Sequence, residues 1–314
     1  MRAIGNSFMA LVFLIVSSGL NVLLDVVLIR EFGMGVQGTA IATVVAQGVS
    51  ALLCAVYIFR KTPILLPQRR HFCLDRAIYV ELMQQGLSMA LMSALVSSGS
   101  VILQSSINSF GTLVIAGHIS ARKVFGLSVI PLLALGTACA TFVSQNLGAH
   151  KYSRIRRGVT VANYLCVAWG ITCTLIIPFI SRYLISIMSG SSEEEVLDYG
   201  STYVTFIQPF YGVLGILFVS RHSLQGLGEK MLPLVSSFIE LIGKIVFTYV
   251  IVPYMGIWGI IICEPLLWVV MTLQLLYVFW RHPIIIAGKG RRTLSIIKSK
   301  VHLKSYRGNH RHKF

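Results

Sequence analysis

In a chain where 55% of residues are hydrophobic and only 12% are charged, an ionisable side chain inside an apolar run is where chemistry is to be sought. A charge in hydrocarbon is costly and needs a purpose. Asn21 and Asp25 stand one helical turn apart and so share a face of any helix that carries them. Thr43, in the next apolar run, falls at a depth that differs from that of Asp25 by only about 5 Å at 1.5 Å per residue. A carboxylate, an amide and a hydroxyl converging there supply oxygens that suit a sodium ion, and the aspartate alone suits a proton. The plain alternative is that Asn21 and Asp25 form a hydrogen-bonded clasp between helices or cap the outer end of the bundle.

A second polar group lies late in the chain. Glu240 precedes Lys244 by one turn, and Glu264 in the following run sits at nearly the depth of Lys244, so the three are expected to form a buried charge cluster. An ion pair that only satisfies itself would look the same. Gln104 and Asn108, again one turn apart, can line a cavity. Arg122 and Lys123 can do so too, or can pair with a glutamate or with backbone carbonyls. Met89 and Met92 read as packing. The six cysteines, Cys54, Cys73, Cys139, Cys166, Cys173 and Cys263, contain no CxxC pair, and Cys166 and Cys173 share a face as small packing residues. No run carries a His–acid pair at helical spacing or a nucleophile motif, so an enzyme is not expected. Nor is a cofactor, or any metal other than sodium at Asp25.

These side chains need scaffolds about 20 residues long and almost free of charge, the length an α-helix needs to cross roughly 30 Å of hydrocarbon. The 314-residue chain, with a mean hydropathy of +0.76, contains eight of them, over 10–29, 36–59, 87–109, 112–142, 159–180, 203–219, 232–252 and 257–279. The apolar residues run continuously instead of alternating, which favours a helical bundle over a barrel. The expected class is an all-α integral membrane protein of about eight transmembrane helices.

Positive charge marks alternate loops. Arg60, Lys61, Arg69 and Arg70 follow the second run, Lys151, Arg154, Arg156 and Arg157 the fourth, and Arg221 and Lys230 the sixth, while the tail is basic throughout. The positive-inside rule then places both termini in the cytoplasm of a multi-pass protein of the cell membrane, inner or plasma. The formal charge of +16 is absorbed by loops facing an anionic leaflet, so membrane lipid and not nucleic acid is the expected partner. The first run is too long for a signal-peptide core and lacks a small-residue cleavage site, so it reads as a retained helix.

The chain divides into 1–60, a linker at 61–86, a six-helix body at 87–281 and a basic tail at 282–314. Within the linker, 63–70 is polar and Asp75 opens an amphipathic stretch with Ile78, Leu82 and Met83 on one side, which reads as a surface helix. His302, His310 and His312 belong to a solvated, lipid-facing tail. An internal repeat ties the ends together. Ile4-Gly5-Asn6-Ser7 matches Leu227-Gly228-Glu229-Lys230, Met34-Gly35-Val36-Gln37-Gly38 matches Met255-Gly256-Ile257-Trp258-Gly259, and Tyr57-Ile58-Phe59-Arg60 matches Val278-Phe279-Trp280-Arg281. The last hairpin follows four more runs and the first follows almost nothing, so the chain reads as truncated, with one lobe lacking its first four helices. Parallel repeats of this kind place substrate and ions between two halves.

The residues now resemble a known family. Arg2-Ala3-Ile4-Gly5-Asn6-Ser7, then Asn21-Val22-Leu23-Leu24-Asp25, then Phe32-Gly33-Met34-Gly35-Val36-Gln37-Gly38-Thr39-Ala40-Ile41-Ala42-Thr43 are similar to the fifth and sixth helices of MATE (multidrug and toxic compound extrusion) exporters. Pro131, Gly136, Ala140 and Gln145-Asn146-Leu147-Gly148-Ala149, followed by Arg154 and Arg157, are similar to the family's eighth helix and its cytoplasmic turn. The resemblance implies a twelve-helix, two-lobe fold of which this chain is the carboxy-terminal part: 1–60 as the last two helices of the amino lobe, 61–86 as the inter-lobe linker and 87–281 as the carboxy lobe. It also implies a secondary active transporter that exports small cationic drugs or metabolites by sodium- or proton-coupled antiport, expected as a monomer, with Asn21, Asp25 and Thr43 at the amino-lobe cation site. Cationic substrates make Arg122 and Lys123 awkward as contacts. The family's partner aspartate on its first helix has no counterpart here, and 86–109 lacks the acid that some subfamilies carry. The alternatives are an inactive membrane fragment and a lipid-linked oligosaccharide flippase of the same superfamily. The latter needs a cationic groove that Arg122, Lys123 and Lys244 do not obviously make.

Overall fold

The structure, a computed structural model, describes residues 6–62, 65–66 and 75–287. These residues form helices and short connections without a strand, and eight of the helical segments are long and apolar enough to cross a membrane. Most of the 63–70 linker, Cys73 and the tail from 288 onward lie outside the described residues. The chain forms two compact units that divide between Tyr79 and Val80.

The first unit is built on α1 (Ser7–Arg30) and α2 (Gly35–Lys61). Asn6 starts α1 by accepting the Met9 amide on its side chain at 3.2 Å, which meets one of the four donors that a helix start leaves unpaired. The turn between the helices holds Gly33 and Gly35 at φ of +63° and +53°, a region closed to most side chains. On α2 the buried residues are Gly38, Ala42 and Ala46, one turn apart, and such small side chains let two helices approach where no hydrophobic force drives them together. A Cβ on Gly38 would stand 3.2 Å from that of Leu28. Ser17 donates to the Ala46 carbonyl at 3.1 Å, and Asn6 donates to the Tyr57 hydroxyl at 3.2 Å.

The second unit carries the remaining six candidate spans. They are α3 (Arg76–Asn108), α4 (Thr112–Gly148), α5 (Tyr152–Ser189), α6 (Glu194–Ile207) continued by α7 (Tyr211–Gly226), α8 (Met231–Val246) continued by α9 (Val252–Met255), and α10 (Ile257–Arg281); a short α11 (Pro283–Ala287) follows. Two prolines explain the two interruptions. Pro209 sits in a 3-10 turn, Gln208–Phe210, and Pro253 follows a π turn, Phe247–Ile251. Proline removes one amide donor and crowds the carbonyl a turn earlier, so the helix tightens or widens there. α4, α5, α6 and α7 pack on one another, and α10 closes on α7 and α8. Their core includes Leu132, Ile155, Ile185, Tyr203, Tyr211, Leu217 and Phe279, all essentially inaccessible.

The expected spans recur, but with longer helices. α4 and α5 have 37 and 38 residues, about 55 Å each at 1.5 Å per residue, so their ends pass well beyond the hydrocarbon core. The amphipathic stretch after Asp75 continues without a break into the third span as the first turns of α3. Arg221, expected in a loop, lies inside α7.

Candidate functional site

In the first unit, Asn21 on α1 reaches α2, its amide donating to the Thr43 hydroxyl at 3.4 Å. Thr43 in turn donates to the Thr39 carbonyl one turn back at 2.9 Å, which leaves its oxygen lone pairs facing the amide. Asp25, one turn further along α1, is half-buried, and its Oδ1 is shielded from solvent with no hydrogen-bond partner. A shielded carboxylate oxygen without a donor is rare in proteins and calls for an explanation. The geometry offers an amide, a hydroxyl and this oxygen along one helix–helix seam.

In the second unit, Glu240, Lys244 and Glu264 line one cavity of about 170 Å³, together with Arg122, Arg221 and Ser100. Glu240 and Lys244, one turn apart on α8, are paired at 2.9 Å. The Lys244 ammonium also donates to Ser100 at 3.1 Å. Glu264 has other partners. Nη1 of Arg122 bridges its two oxygens at 3.0 and 2.8 Å, and the hydroxyl of Tyr203 donates to Oε2 at 3.1 Å. The guanidinium of Arg122 lies 4.7 Å over the Phe125 ring, which stacks on Trp268 at 5.8 Å between centroids. Arg122 is thus held by charge on one side and by an aromatic face on the other.

Lys123 is turned elsewhere, donating to the Met188 carbonyl at 3.2 Å. Gln104 and Asn108 bond each other at 3.0 Å on an exposed face and do not line the charged cavity. Arg221 is the residue that the sequence reading left out of the cluster. Its side chain is only 11% exposed, and its Nη2 stands 4.0 Å from Glu240 Oε2. The signal was present: Ser220, Ser223 and Gln225 surround it without a helix breaker before Gly226.

A larger cavity of about 740 Å³ lies where α6 meets the starts of α4 and α10, lined by the rings of Phe110, Tyr199 and Trp258 and by the carboxylates of Glu195 and Asp198. Asp198 is paired with Arg182 at 2.8 Å, and Arg182 also contacts Glu194. Tyr199, which lines this cavity, shares a hydrogen bond through its hydroxyl with His118 at 3.1 Å.

An all-helical body with eight candidate spans and charged side chains paired inside it defines a multi-pass membrane protein. The MatE family profile matches residues 88–250, more than half of the chain, and the chain belongs to the MatE family. Among curated relatives, the probable multidrug resistance protein YpnP of Bacillus subtilis is 27% identical over 242 residues, covering 76% of this chain and 53% of the relative. An FAD transporter of Shewanella oneidensis is 22% identical over 290 residues, covering 90% and 63%. The crystal structure of the Vibrio cholerae MATE transporter VcmN in its bent form superposes with a TM-score of 0.81 at 21% identity, covering 91% of this chain and 64% of that one. The chain spans about half the length of the first curated relatives it matches.

Proposed function

We propose that the protein takes part in secondary active transport, exporting small organic cations against an inward flow of sodium ions or protons. Asp25 binds the coupling ion, with Asn21 and Thr43 as neighbouring oxygen ligands. The shielded, unpartnered Oδ1 of Asp25 carries this reading, because a carboxylate oxygen left without a donor is poised to take a proton or a cation. Membership in the MatE family supports transport as the setting. For the cargo, the support is the cavity of about 740 Å³, within the usual range of about 300–1,000 Å³ for small-molecule sites. Its aromatic rings and the carboxylate of Glu195 are the groups that attract organic cations. The protein acts as a monomer in the cell membrane, with both chain ends on the cytoplasmic side.

The test is efflux of a fluorescent organic cation, such as ethidium, from cells expressing the protein. Asp25→Asn keeps the shape and removes the charge, and is expected to abolish ion-driven efflux while the amount of protein in the membrane stays unchanged. Undiminished efflux by this variant would rule out the coupling role.

A further inference from the structure

The 170 Å³ cavity has an unbalanced charge. Arg122, Arg221 and Lys244 face Glu240 and Glu264 there. Glu264 is committed to Arg122 at 2.8 Å and Glu240 to Lys244 at 2.9 Å. That leaves Arg221 with an ordinary hydrogen-bond partner on none of its nitrogens. Its Nη2 lies 4.0 Å from Glu240 and donates to the Met271 thioether at 3.7 Å, a weak acceptor. Its shielded Nε has no partner.

Nothing nearby corrects the balance. The other acids after position 80 lie outside the cavity: Glu194 and Asp198 face Arg182, Glu229 faces His282, and Glu81, Glu193 and Glu195 are exposed. Neither His118, bonded to Tyr199, nor His222, bonded to the Phe218 carbonyl, lines the cavity. A guanidinium cannot shed its proton, and a buried positive charge in excess of the carboxylates around it costs several kcal/mol.

We propose that this cavity is a binding site for one small monovalent anion, a halide ion or a carboxylate group, held by Arg221 with help from Lys244. Its volume is below the range of about 300–1,000 Å³ for drug-sized ligands. A few-atom anion with one or two waters, each claiming about 30 Å³, fits it. The excess positive charge also excludes it as a seat for an organic cation. The site is built from residues of the second unit alone and does not depend on the coupling role assigned to Asp25.

The experiment is equilibrium dialysis of the purified full chain in detergent against radiolabelled chloride, at constant ionic strength set by a bulky sulfonate salt too large for the cavity. Saturable binding of one chloride per chain is expected. Arg221→Gln is expected to weaken it about tenfold or more, the size of a lost charge-assisted hydrogen bond. Glu240→Gln frees Lys244 and removes a negative charge, so it is expected to tighten binding by a similar factor, a gain that a misfolded variant cannot give. Displacement by acetate would identify a carboxylate, such as one on a transported solute, as an accepted occupant. Resistance to acetate would mark a halide site. Absence of saturable binding, an unchanged Arg221→Gln or weaker binding by Glu240→Gln would overturn the proposal.

Discussion

The Arg122–Glu264 pair joins α4 to α10 across 142 positions of sequence, and its worth can be measured. Glu264→Gln preserves shape and leaves an oxygen to accept from Tyr203, but it strands the Arg122 guanidinium. Removing one partner of a fully buried pair costs about 3–5 kcal/mol. Here Glu264 is 10% exposed and Arg122 39% exposed, so solvent and the Phe125 face offset part of that loss, and we expect about 2–3 kcal/mol. At roughly 2–4 °C per kcal/mol for a chain of this size, the unfolding midpoint should fall by about 5–10 °C. Thermal unfolding in detergent, followed by tryptophan fluorescence, is a suitable assay because Trp268 stacks on the ring that carries Arg122. Adding Arg122→Met removes the stranded charge, so the double variant should regain most of the loss, giving a coupling of at least about 1.5 kcal/mol. If the losses of the two single variants simply add, the pair does not act as one unit and the argument for a coupled buried ion pair fails.

Two further outcomes are expected. Gln208 is wholly inaccessible and both its side-chain nitrogen and oxygen lack partners, so Gln208→Met should raise stability by about 1 kcal/mol, read as a higher unfolding midpoint; a drop would show that an ordered water serves the amide. Single cysteines placed at exposed Lys151 and exposed Glu193, in a background without the native cysteines, should react from opposite sides of the membrane with an impermeant maleimide, and labelling of both from one side would contradict the orientation assigned from loop charge.

The membrane helices were legible because bilayer thickness is a physical length that apolar runs must match. Their ends were not, because a hydropathy window stops at the first charge whereas the backbone keeps its hydrogen bonds into the headgroup layer. α7 runs on to Gly226, so Arg221, taken for a loop residue, projects from a helix into a charged cavity. α3 likewise absorbs the stretch expected to be a separate surface helix.

Contacts within a helix follow from spacing, and those between helices do not. The Glu240–Lys244 pair is fixed by 3.6 residues per turn, and Asn21 meets Thr43 because a tight glycine turn sets the depths of α1 and α2 together. Depth alone put Glu264 beside Lys244, yet its hydrogen bonds go to Arg122 and Tyr203. Depth is a single coordinate, whereas choosing among partners at one depth requires each helix's rotation about its axis, which close packing decides. That packing is set by glycines without side chains to report on: a methyl on Gly170 would run into the backbone of Gly212, and one on Gly215 would stand 2.6 Å from Cβ of Cys166. These approaches hold α5 against α7 and so bear on where the Arg221 helix sits. The charge excess in the cavity is therefore a property of helix rotation, visible only once α4, α7, α8 and α10 are placed together.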